Sequence, residues 1–389
     1  MKKIICLMIF LLLLLSDTCI GIEDTEQNTT IYVDDDNIMG PWDGSQANPY
    51  QTIQGAVDNS SEGDTIYVYE GRYNGNIIVT KTICLIGENK HDVTVIGGKH
   101  DFWIHADDVW IENFSIENSS RYFSAIYITS SGCTVKNNII KNNFAGVFID
   151  GGSSNKVINN LFLYNDDRSV RLEFTQFNSI SNNYIGFGGD GIYCWSSSNN
   201  LIKDNTVDNC LRGIIIGDFS EENLMYHNNF YRNYYFNSAV QLMNNNWDNG
   251  MNDGGNFWDD YDGEDENNDG FGDTSYTFSN SGVDYFPLMN PWNKSKPTII
   301  FSQGFGLTIS IQVNDSEDLT TLVELIIENK QGFRLKNRMY EIIELSSFEK
   351  ISFKENVFGL GLILIEVNIG PWSWEKQAVL IGPFVFILF

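Results

Sequence analysis

Residues 265–273, DENNDGFGD, carry oxygen-bearing side chains at the spacing of a calcium-binding loop. Gly270 allows the backbone to turn, so that a main-chain carbonyl can face the same centre as the side chains. The predicted calcium ligands are Asp265, Asn267, Asp269, the backbone carbonyl of Phe271, and Asp273.

This acidic segment departs from a complete calcium loop at its twelfth position, where Tyr276 replaces the usual bidentate glutamate. No lysine or arginine lies between Arg232 and Lys294, so a hard divalent cation is the natural counter-charge. The alternative is a solvated acidic turn that holds no fixed ion. A bound ion would need further ligands, and the nearby candidates are Asp259, Asp260, Asp262 and Glu264.

A second set of candidate groups lies in the segments GVFID, SVRLE, GIYCW and GIIIG. Apolar residues alternate in them, which predicts strands whose successive side chains face opposite sides of a sheet. The predicted inward side chains are Val147, Ile149, Val170, Leu172, Ile192, Cys194, Ile214 and Ile216. The predicted outward rows are Tyr127, Phe148, Arg171, Tyr193 and Ile215, and beside them Thr129, Asp150, Glu173, Trp195 and Gly217.

These outward rows combine aromatic rings with charged groups, which is the chemistry that a sugar-binding strip needs. Rings stack on the apolar faces of sugars, while carboxylates and guanidinium groups bond to sugar hydroxyls. The alternative is that Asp150 and Glu173 only pair with Arg171, and that a loop or a neighbouring molecule covers the rings. The predicted glycan contacts are Tyr127, Phe148, Arg171, Tyr193 and Trp195.

The same rows could instead carry an active site, because hydrolysis of a glycosidic bond needs two carboxyl groups about 5 Å apart or more. Asp150 with Glu173 is one candidate pair, and Asp166 with Asp167 in the segment YNDDRS is another. A lyase would also need an exposed basic side chain, for which the candidates are Arg168, Arg171 and Arg212.

The elements that must position these groups come from a repeat in the middle of the chain. Copies such as CTVKNNIIKNNFAGVFID and NSISNNYIGFGGDGIYCW share a polar pair, usually Asn-Asn, flanked by apolar residues. Each copy holds two or three short alternating strands and no helical periodicity, so the repeat predicts the coils of a parallel β-helix. The second members of the pair are assigned to Asn138, Asn160, Asn183, Asn205 and Asn229, at steps of 22, 23, 22 and 24 residues.

The repeated asparagines have a structural explanation in such a coil. Equivalent residues of successive coils lie about 4.8 Å apart, so an asparagine at each bend can pass amide hydrogen bonds along the stack. The open ends of the coil need covers. A short helical pattern with Ile53, Ala56 and Val57 on one face predicts a capping helix at the front.

Composition divides the chain into three parts. Residues 1–21 combine two lysines with an apolar run from Ile4 to Leu15, which predicts a secretory signal too short to span a bilayer. Residues 31–292 hold the predicted β-helix, including the capping helix and the acidic segment. Residues 297–389 alternate in LTISIQV and LILIEV, which predicts an antiparallel β-sandwich-like domain. The terminal AVLIGPFVFILF is interpreted as a buried last strand, so no membrane span is expected once the signal is removed.

The chain has 389 residues and a formal net charge of -27. This excess of carboxylates disfavours nucleic acid and anionic membrane surfaces as partners. Four cysteines follow the signal segment, and none forms a close pair with metal-ligand spacing. They are interpreted as buried thiols in strands, at Cys84, Cys133, Cys194 and Cys210.

Three features together resemble the NosD-like right-handed parallel β-helix proteins, part of the pectin-lyase-like group of carbohydrate-binding and sugar-hydrolase β-helices. They are the segment GPWDGSQANPYQTIQGAVDNSSEGDTIYVYEGRYNGNIIVTKTICLIGE, the Asn-Asn repeats, and the stretch from NNNWDNG to DYFPLMNPW. The pieces GFGLTISI, FGLGLILIEV and LIGPFVFILF resemble a C-terminal β-sandwich module of archaeal surface proteins. The resemblance implies an all-β solenoid exported to the cell envelope, and the glycan enzymes of this group use the outward sheet as their site.

The resemblance to NosD also implies an accessory role in the maturation of a copper enzyme. Copper prefers imidazole, thiolate and thioether ligands, and the sequence offers no tight cluster of its four histidines, His91, His100, His105 and His227. The Gly-His-Gly and Arg-Ile-Lys pieces of polygalacturonases do not occur in the sequence. The sequence therefore does not favour copper binding. It favours glycan binding over catalysis on glycans.

The sequence favours one function and leaves two alternatives. The favoured function is that of a secreted or cell-surface protein, or one in a periplasm-equivalent space, that binds polysaccharide or glycoprotein surfaces or serves as an adhesive element. Calcium is expected to fix the end of the coil. The alternatives are a polysaccharide lyase or glycoside hydrolase, and a NosD-like accessory factor for a copper enzyme.

Overall fold

The computed structural model describes residues 28–240, 244–278, 282–292, 297–312, 319–329, 337–345, 350–369 and 372–388. The predicted signal at residues 1–21 lies outside the described residues. The protein is nearly all β-structure, with 2% helix. Two compact units are distinguished: the first runs to Tyr226 and includes Asn233–Trp247 and Thr277–Val283, and the second comprises His227–Arg232, Asp248–Tyr276 and the chain from Asp284 onward.

The first unit is a parallel β-helix in which each coil contributes one short strand to each of three sheets, over about eight turns. The first sheet consists of β1 (Thr30–Val33), β2 (Thr65–Val68), β5 (Cys84–Gly87), β8 (Trp110–Glu112), β11 (Thr134–Lys136), β14 (Lys156–Ile158), β17 (Ser179–Ser181), β20 (Leu201–Lys203) and β23 (Leu224–Tyr226). The second sheet includes β3 (Gly71–Asn74), β6 (Val93–Ile96), β9 (Ser115–Glu117), β12 (Ile139–Lys141), β15 (Leu161–Leu163), β18 (Tyr184–Gly186) and β21 (Thr206–Asp208). The third sheet consists of β4 (Ile77–Val79), β7 (Phe102–Ile104), β10 (Ser124–Ile128), β13 (Ala145–Asp150), β16 (Arg168–Glu173), β19 (Asp190–Trp195), β22 (Arg212–Ile216) and β25 (Phe236–Val240).

Strict in-register pairing stacks like residues inside the coil. Val147 pairs with Val170, and Val170 with Ile192, so β-branched side chains form a column along the third sheet. All eight predicted inward residues of this sheet are buried, with at most 1% of each side chain exposed. The predicted alternation is therefore confirmed, and the core is a continuous stack of apolar columns.

Asparagines at a corner between the first and second sheets form the predicted ladder. Oδ1 of Asn183 accepts the backbone N–H of Asn160 at 2.9 Å, and its Nδ2 donates to the carbonyl of Val157 at 2.8 Å. The backbone N–H of Asn183 in turn donates to Oδ1 of Asn205 at 3.1 Å. We call each asparagine of this ladder a rung. Each rung satisfies buried backbone groups that strand pairing does not reach.

The residue before each rung turns the chain. Asn137, Asn159 and Asn182 take φ values of 54°, 57° and 56°, in the left-handed region. Asparagine tolerates this conformation better than most residues, because its short side chain can bond locally. In each Asn-Asn pair, the first residue thus turns the chain and the second carries the ladder.

Further corners hold asparagine ladders that the sequence analysis did not assign. Between the third and first sheets, the backbone N–H of each asparagine donates to the Oδ1 of the next at 2.9 to 3.0 Å. Their signal in the sequence is the same spacing as in the assigned repeat. These rungs are Asn155, Asn178, Asn200, Asn223 and Asn245.

The assignment of Asn229 as a rung is wrong, because the rung is Asn228. Asn228 is fully buried, and its Nδ2 donates to Oδ1 of Asn256 at 2.9 Å within the second unit. His227 takes the turning position, with φ of 58°, so the step from Asn205 is 228 minus 205, or 23 residues. Because His227 already turns the chain, the Asn-Asn pair at 228–229 begins with the rung, and counting its second member gave Asn229.

The predicted capping helix is confirmed as α1 (Ile53–Asn59), which buries Ile53, Ala56 and Val57. Thr52 caps its N-terminus by accepting the backbone N–H of Gly55 at 3.1 Å. The helix contacts β1, β2 and β4, and therefore covers the first coil. No helix among the described residues is long and apolar enough to cross a membrane.

Three of the four later cysteines are free and buried, as interpreted: Cys133, Cys194 and Cys210. Burial raises the pKa of the Cys133 thiol to about 11, and those of Cys194 and Cys210 to about 12. Cys84 lies in β5 and is disulfide-bonded, which corrects the expectation for that residue.

The second unit contains one further parallel pair, the acidic segment and two antiparallel sheets. β24 (Asn229–Tyr231) pairs with β26 (Phe257–Trp258), and the rings of Phe230 and Trp258 stack at 4.7 Å. Two short strands, β27 (Tyr276–Phe278) and β28 (Gly282–Asp284), lie mostly in the first unit.

The C-terminal part of the second unit is a sandwich of two antiparallel sheets. Leu307, Ile309 and Ile311 of the smaller sheet share one core with residues such as Ile363 and Leu380 of the larger sheet. The predicted fold class, a parallel β-helix followed by a β-sandwich-like module, is confirmed, while the domain boundaries at 31–292 and 297–389 remain predictions. The smaller sheet has the order β29 (Thr298–Ser302), β31 (Leu307–Gln312) and β34 (Lys350–Glu355). The larger sheet has the order β30 (Gly304–Phe305), β37 (Phe384–Ile387), β36 (Trp372–Gly382), β35 (Gly359–Ile369), β32 (Leu319–Asn329) and β33 (Asn337–Leu345).

Candidate functional site

The outward side of the third sheet brings the predicted row together. Tyr127 pairs in register with Phe148, Phe148 with Arg171, and Arg171 with Tyr193. The row continues to Ile215 at one end, and Trp103 precedes Tyr127 at the other. We name this row, from Trp103 to Ile215, the outward row.

A parallel line of polar residues runs beside the outward row. Asp150 pairs in register with Glu173, and Glu173 with Trp195. Thr129 lies nearby, where its hydroxyl contacts Nδ1 of His105 at 3.1 Å. Gly217 lies close to Trp195, since a Cβ on it would be 3.2 Å from the indole ring. The predicted second row is thus also formed.

Aromatic contacts link the first half of the outward row. The ring of His100 stacks on Tyr127, with centroids 4.6 Å apart and planes at 17°. Tyr127 in turn contacts Phe148 at 5.1 Å and Trp103 at 6.0 Å. Burial lowers the pKa of His100, which favours its neutral, apolar-packed form. The result is a rigid aromatic surface across three coils.

Charged groups are fixed between the rings. The guanidinium of Arg171 lies 4.2 Å over the centre of Phe148, and its Nη2 is 2.6 Å from Oε1 of Glu173. The hydroxyl of Tyr127 donates to Oδ2 of Asp150 at 2.6 Å. Burial and this bond to a carboxylate raise the pKa of Tyr127 to about 12. The polar groups therefore hold set positions on the surface, which favours binding because little side-chain freedom remains to be lost.

A second charged group lies at the start of the strands, beside Tyr193. The guanidinium of Arg168 lies 4.2 Å over the Tyr193 ring and bonds Asp167 at 2.7 Å. Nη2 of Arg212 donates to Asp190 at 2.7 Å, and Nε of Arg168 is 3.7 Å from the same carboxylate. Burial raises the pKa of Asp190, and the hydrogen bond and charge of Arg212 oppose that rise.

All three arginines that sequence analysis proposed for a lyase are thus engaged with carboxylates. Arg168 and Arg212 share Asp190, and Arg171 holds Glu173. Of the alternative acid pair, Asp167 is bound to Arg168, while Asp166 is exposed. Asp150 and Glu173 are neighbours on adjacent coils, and both accept hydrogen bonds within the rows.

Several residues of this surface were missed in the sequence. Trp103, 37% exposed, lies in a copy without an Asn-Asn pair, although it precedes Tyr127 by a single repeat of 127 minus 103, or 24 residues. Phe174, 59% exposed, packs against Trp195 with ring centroids 4.8 Å apart. Asp190 was missed because its contacts come from adjacent coils and need the exact register to be seen.

The acidic segment forms a local loop in the second unit. The carboxylate of Asp265 accepts the backbone N–H groups of Asp269 at 3.1 Å and Gly270 at 3.0 Å. Asp269 accepts from Phe271 at 2.9 Å, and Asp273 from Glu266 at 2.7 Å. An open cavity of about 600 Å³ is lined by Asp262, Gly263, Glu264, Glu266, Asn267, Asp273 and Thr274.

No group of three or more His, Cys, Asp or Glu side chains among the described residues is placed to hold a metal ion. The histidines do not fit copper either. The rings of His100 and His105 each contact the ring of Trp103, with centroids 5.7 and 4.7 Å apart, and His227 stacks on Trp292. The thiols of Cys133, Cys194 and Cys210 are buried and their pKa values are raised, which disfavours the thiolate that copper would need.

Comparison with known proteins gives relatives in sequence and in fold. A cell surface glycoprotein of Methanothermus fervidus is 31% identical over 160 residues, which is 38% of this chain. The matched part spans 26% of that protein, so the chain matches about a quarter of the relative's length. Pectate lyase Pel9A is 15% identical, over 60% of this chain and 74% of its own, with a TM-score of 0.45. An alginate lyase from Paenibacillus is 15% identical, over 56% of this chain and 75% of its own, with a TM-score of 0.33.

The family described as Periplasmic copper-binding protein (NosD) matches residues 57–263, more than half of the chain. The matched range covers most of the β-helix of the first unit and ends two residues before the acidic segment. The chain therefore belongs to the NosD family, as the resemblance of its three sequence features had implied.

Proposed function

We propose that this protein is exported to the cell surface, where it binds glycans along the outward row and the polar line beside it. The observation that carries the proposal is the run of outward rings on successive coils, with charged groups held between them. Polysaccharide or glycoprotein surfaces are the proposed partners. The sequence similarity to a cell surface glycoprotein supports the location.

The chemistry of the surface supports sugar binding. Ring faces offer the C–H surface of a sugar an apolar contact, and the half-buried carboxylate of Asp150 can accept from its hydroxyls. Glu173 is buried and holds the guanidinium of Arg171 in place. The indole of Trp103 is the most accessible of the rings in the outward row itself, at 37% exposure. A ligand lying across the coils would meet an aromatic or charged group at each step of about 4.8 Å.

Binding is favoured over cleavage by the contacts of the charged groups. A general acid must carry a proton to the leaving oxygen, yet Asp150 and Glu173 both accept hydrogen bonds, from Tyr127 and Arg171. A lyase needs a basic group free to take a proton, and the three candidate arginines are each paired.

Removal of a ring from the outward row is expected to weaken glycan binding. Trp103→Ala should lower affinity roughly tenfold, because it removes a stacking surface worth about 1 to 2 kcal/mol. The measurement is a glycan-array screen of the wild-type protein, followed by titration of the variants with the best glycan. Tyr67→Ala is the matched control, because Tyr67 lies in β2 of the first sheet, away from the outward row. There it packs against Tyr32 and Tyr69.

The glycan-array measurement also distinguishes glycan binding from glycan cleavage and from a role without glycans. If Tyr67→Ala weakens binding as much as Trp103→Ala, the outward row is not the binding surface. Release of oligosaccharides into the supernatant would favour the enzyme, and Asp150→Asn or Glu173→Gln should then abolish release. No binding to any glycan would leave a structural or protein-binding role.

We also propose that calcium binds the acidic segment, draws its separated carboxylates together and fixes that loop. The support is the ligand spacing of Asp265, Asn267, Asp269 and Asp273, and the carboxylates that line the adjacent cavity. A divalent ion would offset the repulsion among carboxylates that have no lysine or arginine nearby in the sequence. The proposed role is structural, not catalytic.

Calcium is expected to raise the melting temperature of the wild-type protein, and this rise should vanish in the double variant Asp265→Ala, Asp269→Ala. An ion at 100 times its dissociation constant stabilises a fold by about 2.7 kcal/mol. Differential scanning fluorimetry with calcium or with EGTA measures the effect. The control is Asp166→Ala, Asp218→Ala, which removes the same charge from exposed positions of the β-helix. An unchanged response to calcium in the first double variant would contradict the proposed site.

A further inference from the structure

The outer face of the larger C-terminal sheet is apolar at one end. Leu360 pairs in register with Ile381, Ile381 with Phe384, and Phe384 with Phe305. The next row holds Leu362, Val379 and Phe386, again in register. An antiparallel sheet with one face in water normally alternates apolar and polar residues, and here both faces are apolar.

These side chains are open to solvent. Phe305, Leu360, Ile381, Phe384 and Phe386 are 46% to 76% exposed. Between them Val385 is fully buried, so the interpretation of a buried last strand holds for that residue but not for its neighbours Phe384 and Phe386. The five exposed side chains offer on the order of 500 Å² of apolar surface, since a large aromatic side chain can bury roughly 150 to 250 Å².

The area of this face and its lack of charged residues indicate what kind of partner it fits. Monomeric proteins rarely expose apolar patches much larger than this, and one side of a standard protein interface buries about 800 Å². No charged residue occurs in 356–365 or 377–388, although the chain carries a net charge of -27. Two copies can therefore meet at this face without bringing carboxylates together.

We propose that this protein forms a dimer through this apolar face, which we define as Phe305, Leu360, Leu362, Val379, Ile381, Phe384 and Phe386. A two-fold axis would place the same face of each copy against the other, which closes the assembly without leaving a second copy of the patch exposed. Two sheets pack face to face at about 10 Å, and rows of alternating Leu, Ile and Phe side chains suit such a layer. This proposal does not depend on glycan binding.

Sedimentation velocity of the full exported protein over a range of concentrations tests the dimer. Leu360→Glu, Phe384→Glu should raise the dimer dissociation constant at least about 100-fold, because it buries like charges against each other. Ser373→Glu is the matched control, since Ser373 is exposed on the same strand as Ile381 and lies outside the apolar face. The control should dimerise as the wild-type protein does.

A second measurement covers the case in which the double variant does not fold. Ile381→Cys should form a disulfide-linked dimer under mild oxidation, and Ser373→Cys should not. The free cysteines of the described chain do not interfere, because Cys133, Cys194 and Cys210 are buried. A wild-type protein that stays monomeric, or dimers that persist in Leu360→Glu, Phe384→Glu, would overturn the proposal. Flotation of a monomeric wild-type protein with neutral lipid vesicles would assign the face to a bilayer instead.

Discussion

Asn183→Ala is expected to destabilise the β-helix by about 4 kcal/mol. The substitution removes the acceptor of the Asn160 backbone N–H, the donor to the Val157 carbonyl and the side-chain bond to Asn205. Each buried polar group left without a partner costs about 1 to 3 kcal/mol, and the corner excludes water, since Asn183 is 2% exposed. Such a loss is large against the stability of a typical domain.

Urea unfolding followed by circular dichroism measures this loss. Asn182→Gly is the control, because Asn182 is the exposed neighbour of Asn183 and has φ of 56°. Glycine adopts that conformation without strain, so the control should change the free energy of unfolding by less than about 0.5 kcal/mol. Equal unfolding midpoints for the two variants would show that the ladder adds little to stability.

The contrast between Asn182 and Asn183 explains why the fold could be predicted. The Asn-Asn pair recurs because each coil must both turn and satisfy its corner, and apolar alternation between the pairs fixes the inward columns. Where the first residue of the polar pair turns the chain, as at Asn182 and Asp204, the predicted rung is right. At His227 the turning residue changes, and the count moved by one residue to Asn229.

The candidate site was predictable only in part, for a related reason. Alternation within one strand places Tyr127, Phe148 and Tyr193 outward, and the repeat brings them into one row. Which charges meet depends on contacts between coils, so the bonds of Asp190 to Arg212 on the next coil could not be derived from local sequence. The exposure of the apolar outer face at Leu360 could not be predicted either. A continuous apolar run is typical of a strand that is buried on both faces.

The stability of the wild-type protein is expected to fall, relative to that of Asp101→Asn, as the pH is raised from 4 to 8. Asp101 is fully buried at the corner before β7, where its Oδ1 accepts the backbone N–H of Gly98 at 2.8 Å. Its Oδ2 has no hydrogen-bond partner in the part of the chain that the structure describes. Burial raises the pKa of this carboxyl from 3.8 to about 7, and the bond from Gly98 only partly opposes the rise.

The sign follows from the proton balance between the two states. Because the folded pKa lies above the unfolded value of 3.8, the native state keeps a proton that the unfolded chain has lost between about pH 4 and 7. The contribution of Asp101 to stability is complete below pH 4 and disappears as the pH rises through about 7. A rise of this size in pKa is worth up to about 4 kcal/mol.

Asparagine has the shape of the protonated carboxyl and does not titrate, so Asp101→Asn isolates this contribution. Urea unfolding of both proteins at several pH values gives the difference in free energy, which should grow in favour of the variant between pH 4 and 8. Asp166→Asn is the control, because Asp166 is exposed and its curve should run parallel to that of the wild-type protein. Parallel curves for Asp101→Asn and the wild-type protein would mean that the buried carboxyl is paired or hydrated in solution, and the assignment of a protonated Asp101 would be wrong.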